Sequence, residues 1–154
     1  MNLLEELKSE YDLCINNPSE YQRKVDSISD LFFLKGKRRL KWNYCPVRVF
    51  GKYPSAPFVM FGINPGIFQK DSPLEDAEAR KSWRHYQNLY LNFYGTFYHF
   101  WIKSPYYSAM SHLVAGLSDD HQNKSRWELF DSYLTNLELI PYHSEGIVHV
   151  FIYS

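Results

Sequence analysis

Two asparagines stand where an amide side chain could do chemistry. The first, Asn64, lies within Gly62-Ile63-Asn64-Pro65-Gly66, directly after the apolar run Phe58-Val59-Met60-Phe61. The two glycines let backbone come close to a ligand, and Pro65 stiffens the turn. An amide does not titrate usefully, so Asn64 is no strong base; its carbonyl can accept a hydrogen bond from water and aim that water at a carbon. The second, Asn136, sits in the apolar run Tyr133 to Ile140, just ahead of Pro141. A buried amide leaves a carbonyl and an NH2 to satisfy, and failing to do so costs a few kcal/mol. The adjacent carbonyl and N–H of a pyrimidine edge would satisfy both. Each residue also has a plainer reading: Asn64 as part of a tight Asn-Pro-Gly turn, and Asn136 as an amide met by neighbouring backbone.

An aimed water and a base-reading amide suit a reaction limited by bond breaking. Cleavage of a base–sugar bond passes through an oxocarbenium-like sugar, and the protein assists by hydrogen bonding the departing base. The base must first leave the stack. Glu138, two positions beyond Asn136, falls on the same face of a regular strand, where it could orient a ligand or simply be solvated or paired.

The elements that must position these residues are legible as hydrophobic patterns. Leu3, Leu4, Leu7, Tyr11 and Cys14 recur at helical spacing, which predicts a helix over 2–15. Pro18 is read as ending it and Ser19 as capping a second helix from Glu20 to Leu34. Tyr44 to Phe50 reads as a short strand, and Phe58 to Phe61 as a strand buried on both faces. Ser72-Pro73 and Ser104-Pro105 each place an N-cap and first helical residue. In the second of these helices the expected apolar stripe is Tyr106, Met110, Leu113 and Leu117, ending near Gly116. A strand over 133–140 follows, and the stretch from Gly146 to Ser154 is rich in β-formers. Helices before and between strands imply a single α/β layered domain over 1–154, with an N-terminal helical part over 1–35.

Bulk properties narrow the function classes. The chain has 154 residues, enough for one real core. Its 17 basic and 17 acidic residues cancel, so overall charge makes no case for gripping a long duplex. One local run, Lys35, Lys37, Arg38, Arg39 and Lys41, could neutralise phosphates or could be a solvated loop. Cys14 and Cys45 are far apart in sequence and form neither a zinc motif nor a disulfide framework. The six histidines lack metal-binding spacing, so neither metal nor cofactor is expected. Asp71, Glu75, Asp76 and Glu78 read as the acidic start of a helix. No signal-peptide pattern or membrane-length apolar run is present, and a cytoplasmic protein is expected.

The segment Gly-Ile-Asn-Pro-Gly resembles the first motif of the uracil-DNA glycosylase superfamily, in its mismatch-specific and thymine-DNA branch, and is close to the Gly-Met-Asn-Pro-Gly of the single-strand-selective branch. The resemblance implies that Asn64 positions the water, with Gly62 and Ile63 lending backbone to the base pocket and Pro65 and Gly66 shaping the turn. It likens Tyr133 to Pro141 to the family strand whose Asn reads the base, here Asn136. A family phenylalanine stacks on the flipped base; Phe68 is the nearest match, and Phe93, Tyr94 and Phe97 are alternatives. The implied fold is a three-layer sandwich around a mainly parallel sheet, and the implied partner is DNA, single-stranded or mismatched.

The resemblance spans about residues 45 to 145. The family's closing His-Pro-Ser loop has no counterpart in this chain, and His143 is at most an accessory, otherwise a polar residue of the following loop. On this reading the domain is incomplete at its C-terminus, and an unfinished sheet edge would call for an oligomer or a covering partner. Two rival readings keep the fold and change the role: a non-catalytic remnant that binds a nucleobase or nucleic acid, and a different α/β enzyme acting on a small nucleotide.

Overall fold

A computed structural model of the chain describes residues 2–51, 54–62, 72–91, 105–117 and 124–145. The first helix, α1 (Leu3–Asn16), starts on a reciprocal cap: the Asn2 side chain accepts from the Glu5 amide at 3.0 Å, and Glu5 accepts from the Asn2 amide at 2.9 Å. Its Leu7, Tyr11 and Cys14 are buried along one stripe, as the spacing predicts. Asn17 then serves both helices. Its backbone N–H closes α1 on Leu13, and its side chain caps α2 (Pro18–Leu31), with Pro18 in the first turn. The expected cap at Ser19 is therefore displaced by two residues, because proline fits the first helical position, where its missing N–H costs nothing.

The second helix also stops before Leu34. Phe33 takes the left-handed conformation (φ 54°), its N–H bonds to Asp30 and the N–H of Leu34 returns to Ser29 at 2.8 Å. This is a Schellman closure made without glycine, and burial of Leu34 against the core holds it.

The β elements form one sheet in the order β1-β3-β2, from β1 (Val49–Gly51), β2 (Phe58–Gly62) and β3 (Leu134–Glu138). β3 pairs antiparallel with β1 and parallel with β2, so the domain is mixed α/β. The strand expected from Tyr44 shrinks to three residues at Val49. β2 departs from expectation too. It alternates half-buried and exposed, with Phe61 68% exposed, instead of being buried on both faces. The reason is its place: among the described strands β2 is bonded only to β3, on the outside of the sheet.

The remaining helices are α3 (Ser72–Ala79), α4 (Trp83–Tyr90), α5 (Pro105–Leu117) and α6 (Arg126–Tyr133). Helices follow both Ser-Pro signals: α3 begins at Ser72 itself, which places Pro73 second and not first, and α5 begins at Pro105, with Ser104 outside the described residues. Within α5, Ser111 and Val114 are buried and Met110 packs partly against the core, while Leu113 and Leu117 are exposed, so the packed face is turned away from the last two residues of the expected stripe. α6 begins on a Ser125–Glu128 capping box and runs directly into β3. Among the described residues, no helix is long and apolar enough to cross a membrane.

Aromatic rings join α1 to α3 and α4. Tyr86 lies 5.0 Å from Tyr11, stacks on Trp83 at 5.0 Å and meets Tyr90 edge-on at 4.8 Å. Two buried hydroxyls are satisfied by backbone: Tyr86 donates to the Pro46 carbonyl at 2.5 Å, and Tyr11 to that of Ala79 at 3.0 Å. Burial pushes the Tyr11 phenol up to about 12.

Beside this cluster lie the two cysteines. They are distant in sequence, free and buried. The neighbouring Cys14 thiol and burial push the Cys45 thiol up. Arg80 reaches Cys14 Sγ at 3.6 Å and the Asn43 carbonyl at 3.1 Å, while Asp76 holds both the Arg80 guanidinium (2.5 Å) and the Cys45 amide (2.6 Å). Asp76 and the buried Glu75 are thus packed into the helical layer, and are not merely the solvated acidic start of a helix.

Candidate functional site

The parallel pairing of β2 and β3 places their carboxyl ends side by side. Met60 is opposite Asn136 and Gly62 is opposite Glu138. In open α/β sheets this end of the strands is where ligands bind. Beyond Gly62, the Leu139 amide donates to the Gly62 carbonyl at 3.0 Å, which extends the pairing one step past β3.

Asn136 is 3% exposed and Glu138 7% exposed. They project from the same face of β3, and the Asn136 Nδ2 donates to Glu138 Oε1 at 2.7 Å. The contact fixes which end of the amide faces the carboxylate. The other carboxylate oxygen, Oε2, is buried and finds no hydrogen-bond partner among the described residues. Desolvation pushes the Glu138 carboxyl up to about 7, opposed only by the Asn136 hydrogen bond. Near neutrality the group is therefore divided between an acid that can donate and a carboxylate that can only accept.

Gly62 makes room for this carboxylate. A Cβ built on Gly62 would overlap both Glu138 oxygens and its carboxyl carbon. The φ of Gly62 is ordinary, so the glycine is required here for close approach and not for backbone shape. Sequence reasoning singled out Gly62 as backbone for a base pocket. In the structure its nearest functional neighbour is a glutamate side chain.

Of the residues predicted for the site, Gly62 and Asn136 are brought together at one end of the sheet. Ile63, Asn64, Pro65, Gly66 and Phe68 lie outside the described residues, as do Phe93, Tyr94, Phe97 and the stretch from Gly146 to Ser154. His143 is buried 5.3 Å (centroid to centroid) from the Tyr44 ring, and its carbonyl accepts from the Lys41 amide at 2.8 Å. The basic run is divided in its use. Arg39 bonds Asp26 and Asp30 at 2.8 Å each, and Lys41 pairs with Glu145 at 3.0 Å. Lys35, Lys37 and Arg38 are exposed around a short 3-10 turn (Gly36–Arg38).

The residue weighted too lightly by sequence is Glu138. Its i+2 spacing from Asn136 was the available signal, but spacing alone does not distinguish a solvated carboxylate from one sealed under a neighbouring strand. Comparison of the chain with protein-family models, curated proteins and solved structures returns no match.

Proposed function

We propose that the chain is a uracil-DNA glycosylase-like protein that hydrolyses the base–sugar bond of uracil or a related damaged base. One observation carries the reading. The strand that leads into Gly-Ile-Asn-Pro-Gly runs parallel to the strand bearing Asn136, so the chain leaves β2 toward Asn64 from the sheet end that holds the buried amide. In this reading Asn64 aims the water, Asn136 reads the base edge, and Gly62 and Ile63 form the backbone wall. Phe68 stacks on the base, with Pro65 and Gly66 shaping the turn and His143 as an accessory. The fold is a glycosylase-like three-layer sandwich, and the protein works in the cytoplasm on single-stranded or mismatched DNA without metal or cofactor.

A uracil-containing oligonucleotide, offered single-stranded and as a mismatch, tests this through strand cleavage after alkali. The wild-type chain is expected to release uracil, and Asn64→Ala to slow release about 100-fold, the scale of a misplaced reactant. Intact strands with wild-type protein would sink the enzymatic reading. If that protein still binds the oligonucleotide, the non-catalytic binding module takes its place.

A further inference from the structure

The unpartnered oxygen of Glu138 is the feature that the reading above leaves unused. It is buried at the carboxyl end of β3, on the face that carries Asn136 and against a glycine that leaves it room. A buried polar atom without a partner costs free energy, and native structures rarely keep one unless a ligand or a water meets it. We propose that Glu138 is a base-contacting residue whose Oε2 hydroxyl donates a hydrogen bond to a carbonyl oxygen of the bound nucleobase. The substrate class rests on the glycosylase reading, whereas the placement of Glu138 rests on the β2–β3 pairing.

The direction of the bond follows from the contacts. Oε1 already accepts from the Asn136 amide, so a proton on the carboxyl resides on Oε2. Burial favours that proton, and no charged side chain among the described residues offsets the effect. A neutral carboxylic acid at this position donates through Oε2, and its complement is a carbonyl oxygen, not an amino group. A base that presents its 4-position to Oε2 is then favoured as uracil, which has a carbonyl there, over cytosine, which has an amino group.

The same bond would assist the chemistry. When the base–sugar bond breaks, its electron pair leaves with the base and spreads onto the carbonyl oxygens. Water supplies the oxygen that bonds the sugar carbon, and the proton it loses ends on the departed base or in solvent. The Glu138 proton stays on the carboxyl throughout. A donor aimed at an oxygen that gains charge binds the transition state more tightly than the substrate. A neutral carboxyl kept protonated in an apolar site is an established donor of this type.

Glu138→Gln and Glu138→Met separate this role from simple packing, since Gln keeps the Asn136 contact and places an N–H where Oε2 stands. Single-turnover release from the uracil oligonucleotide should stay within about threefold of wild type for Gln and fall about 100-fold for Met, the scale of one lost oxyanion donor. Titration with free uracil and free cytosine should show uracil preferred by wild type and by Gln, with that preference lost in Met. Equal impairment of Gln and Met, or no impairment of either, would overturn the proposal. If wild type releases no base, the glycosylase reading fails by itself, and the uracil titration still decides the role of Glu138. Uracil bound by no form of the protein overturns it. Difference infrared spectra of wild type need no variant. A protonated-carboxyl band that shifts when uracil is added supports the donor, and an unchanged band refutes it.

Discussion

Gly62 and Glu138 face each other across the parallel β2–β3 pair, and the side chain missing from the glycine is the space filled by the carboxylate. Gly62→Ala would force the glutamate out of that space. The displaced group is the end of a flexible chain, so the fold should survive with a loss of about 1 kcal/mol in urea unfolding. The 2.7 Å contact with Asn136 would not survive. Uracil release should then fall by about 100-fold, far out of proportion to the stability change. A variant that loses stability and activity in step would argue that Gly62 matters only for packing.

Glu138 also makes stability depend on pH. Burial raises its carboxyl from an ordinary 4.5 to about 7. Below the lower value folded and unfolded chains both hold the proton. Between the two values the unfolded chain releases it first, so the contribution to stability declines as pH rises and levels off above about 7. The decline amounts to roughly 3 kcal/mol at most. Glu138→Gln removes the ionisation, so its stability should exceed that of wild type on the alkaline side and converge with it in acid. Urea midpoints measured across this range provide the check; parallel curves for the two proteins would contradict the assignment.

Gly51 is a different kind of glycine. Its φ is 89°, and a Cβ there would collide with the backbone carbonyl of Leu134. Backbone cannot swing aside as a carboxylate can. Gly51→Ala should cost about 2–3 kcal/mol by equilibrium denaturation, through strain and loss of the β1–β3 pairing. A change within a few tenths of a kcal/mol would show that β1 adds little to the sheet.

The comparison of sequence and structure divides along physical lines. Helix α1 was readable from the spacing of Leu3 to Cys14, but Pro18, read as a stop with Ser19 as the next cap, opens α2 behind Asn17. Helix α2 ended early because Phe33 accepts a left-handed conformation that burial of Leu34 sustains, and no local pattern announces that trade. Continuous apolarity in Phe58 to Phe61 suggested a two-sided strand, yet the sheet places β2 outside β3, and position in a sheet is a tertiary property. The same holds at the site. The alternation of β3 was enough to put Asn136 and Glu138 on one face, but not to reveal that Gly62 of another strand closes over the carboxylate. Cys14 and Cys45 were separate marks in the sequence, and only the folded chain links them, through Arg80 and Asp76.

That last pairing gives the molecule an internal stopwatch. Both thiols are buried, and Arg80 and Asp76 tie Cys14 Sγ to the Cys45 backbone, so a small alkylating reagent reaches them only when that packing opens. One such excursion uncovers both. Mass spectra taken during slow alkylation would then show unmodified and doubly modified chains with little between them. The pace at which the doubly modified species accumulates would count how often this packing opens.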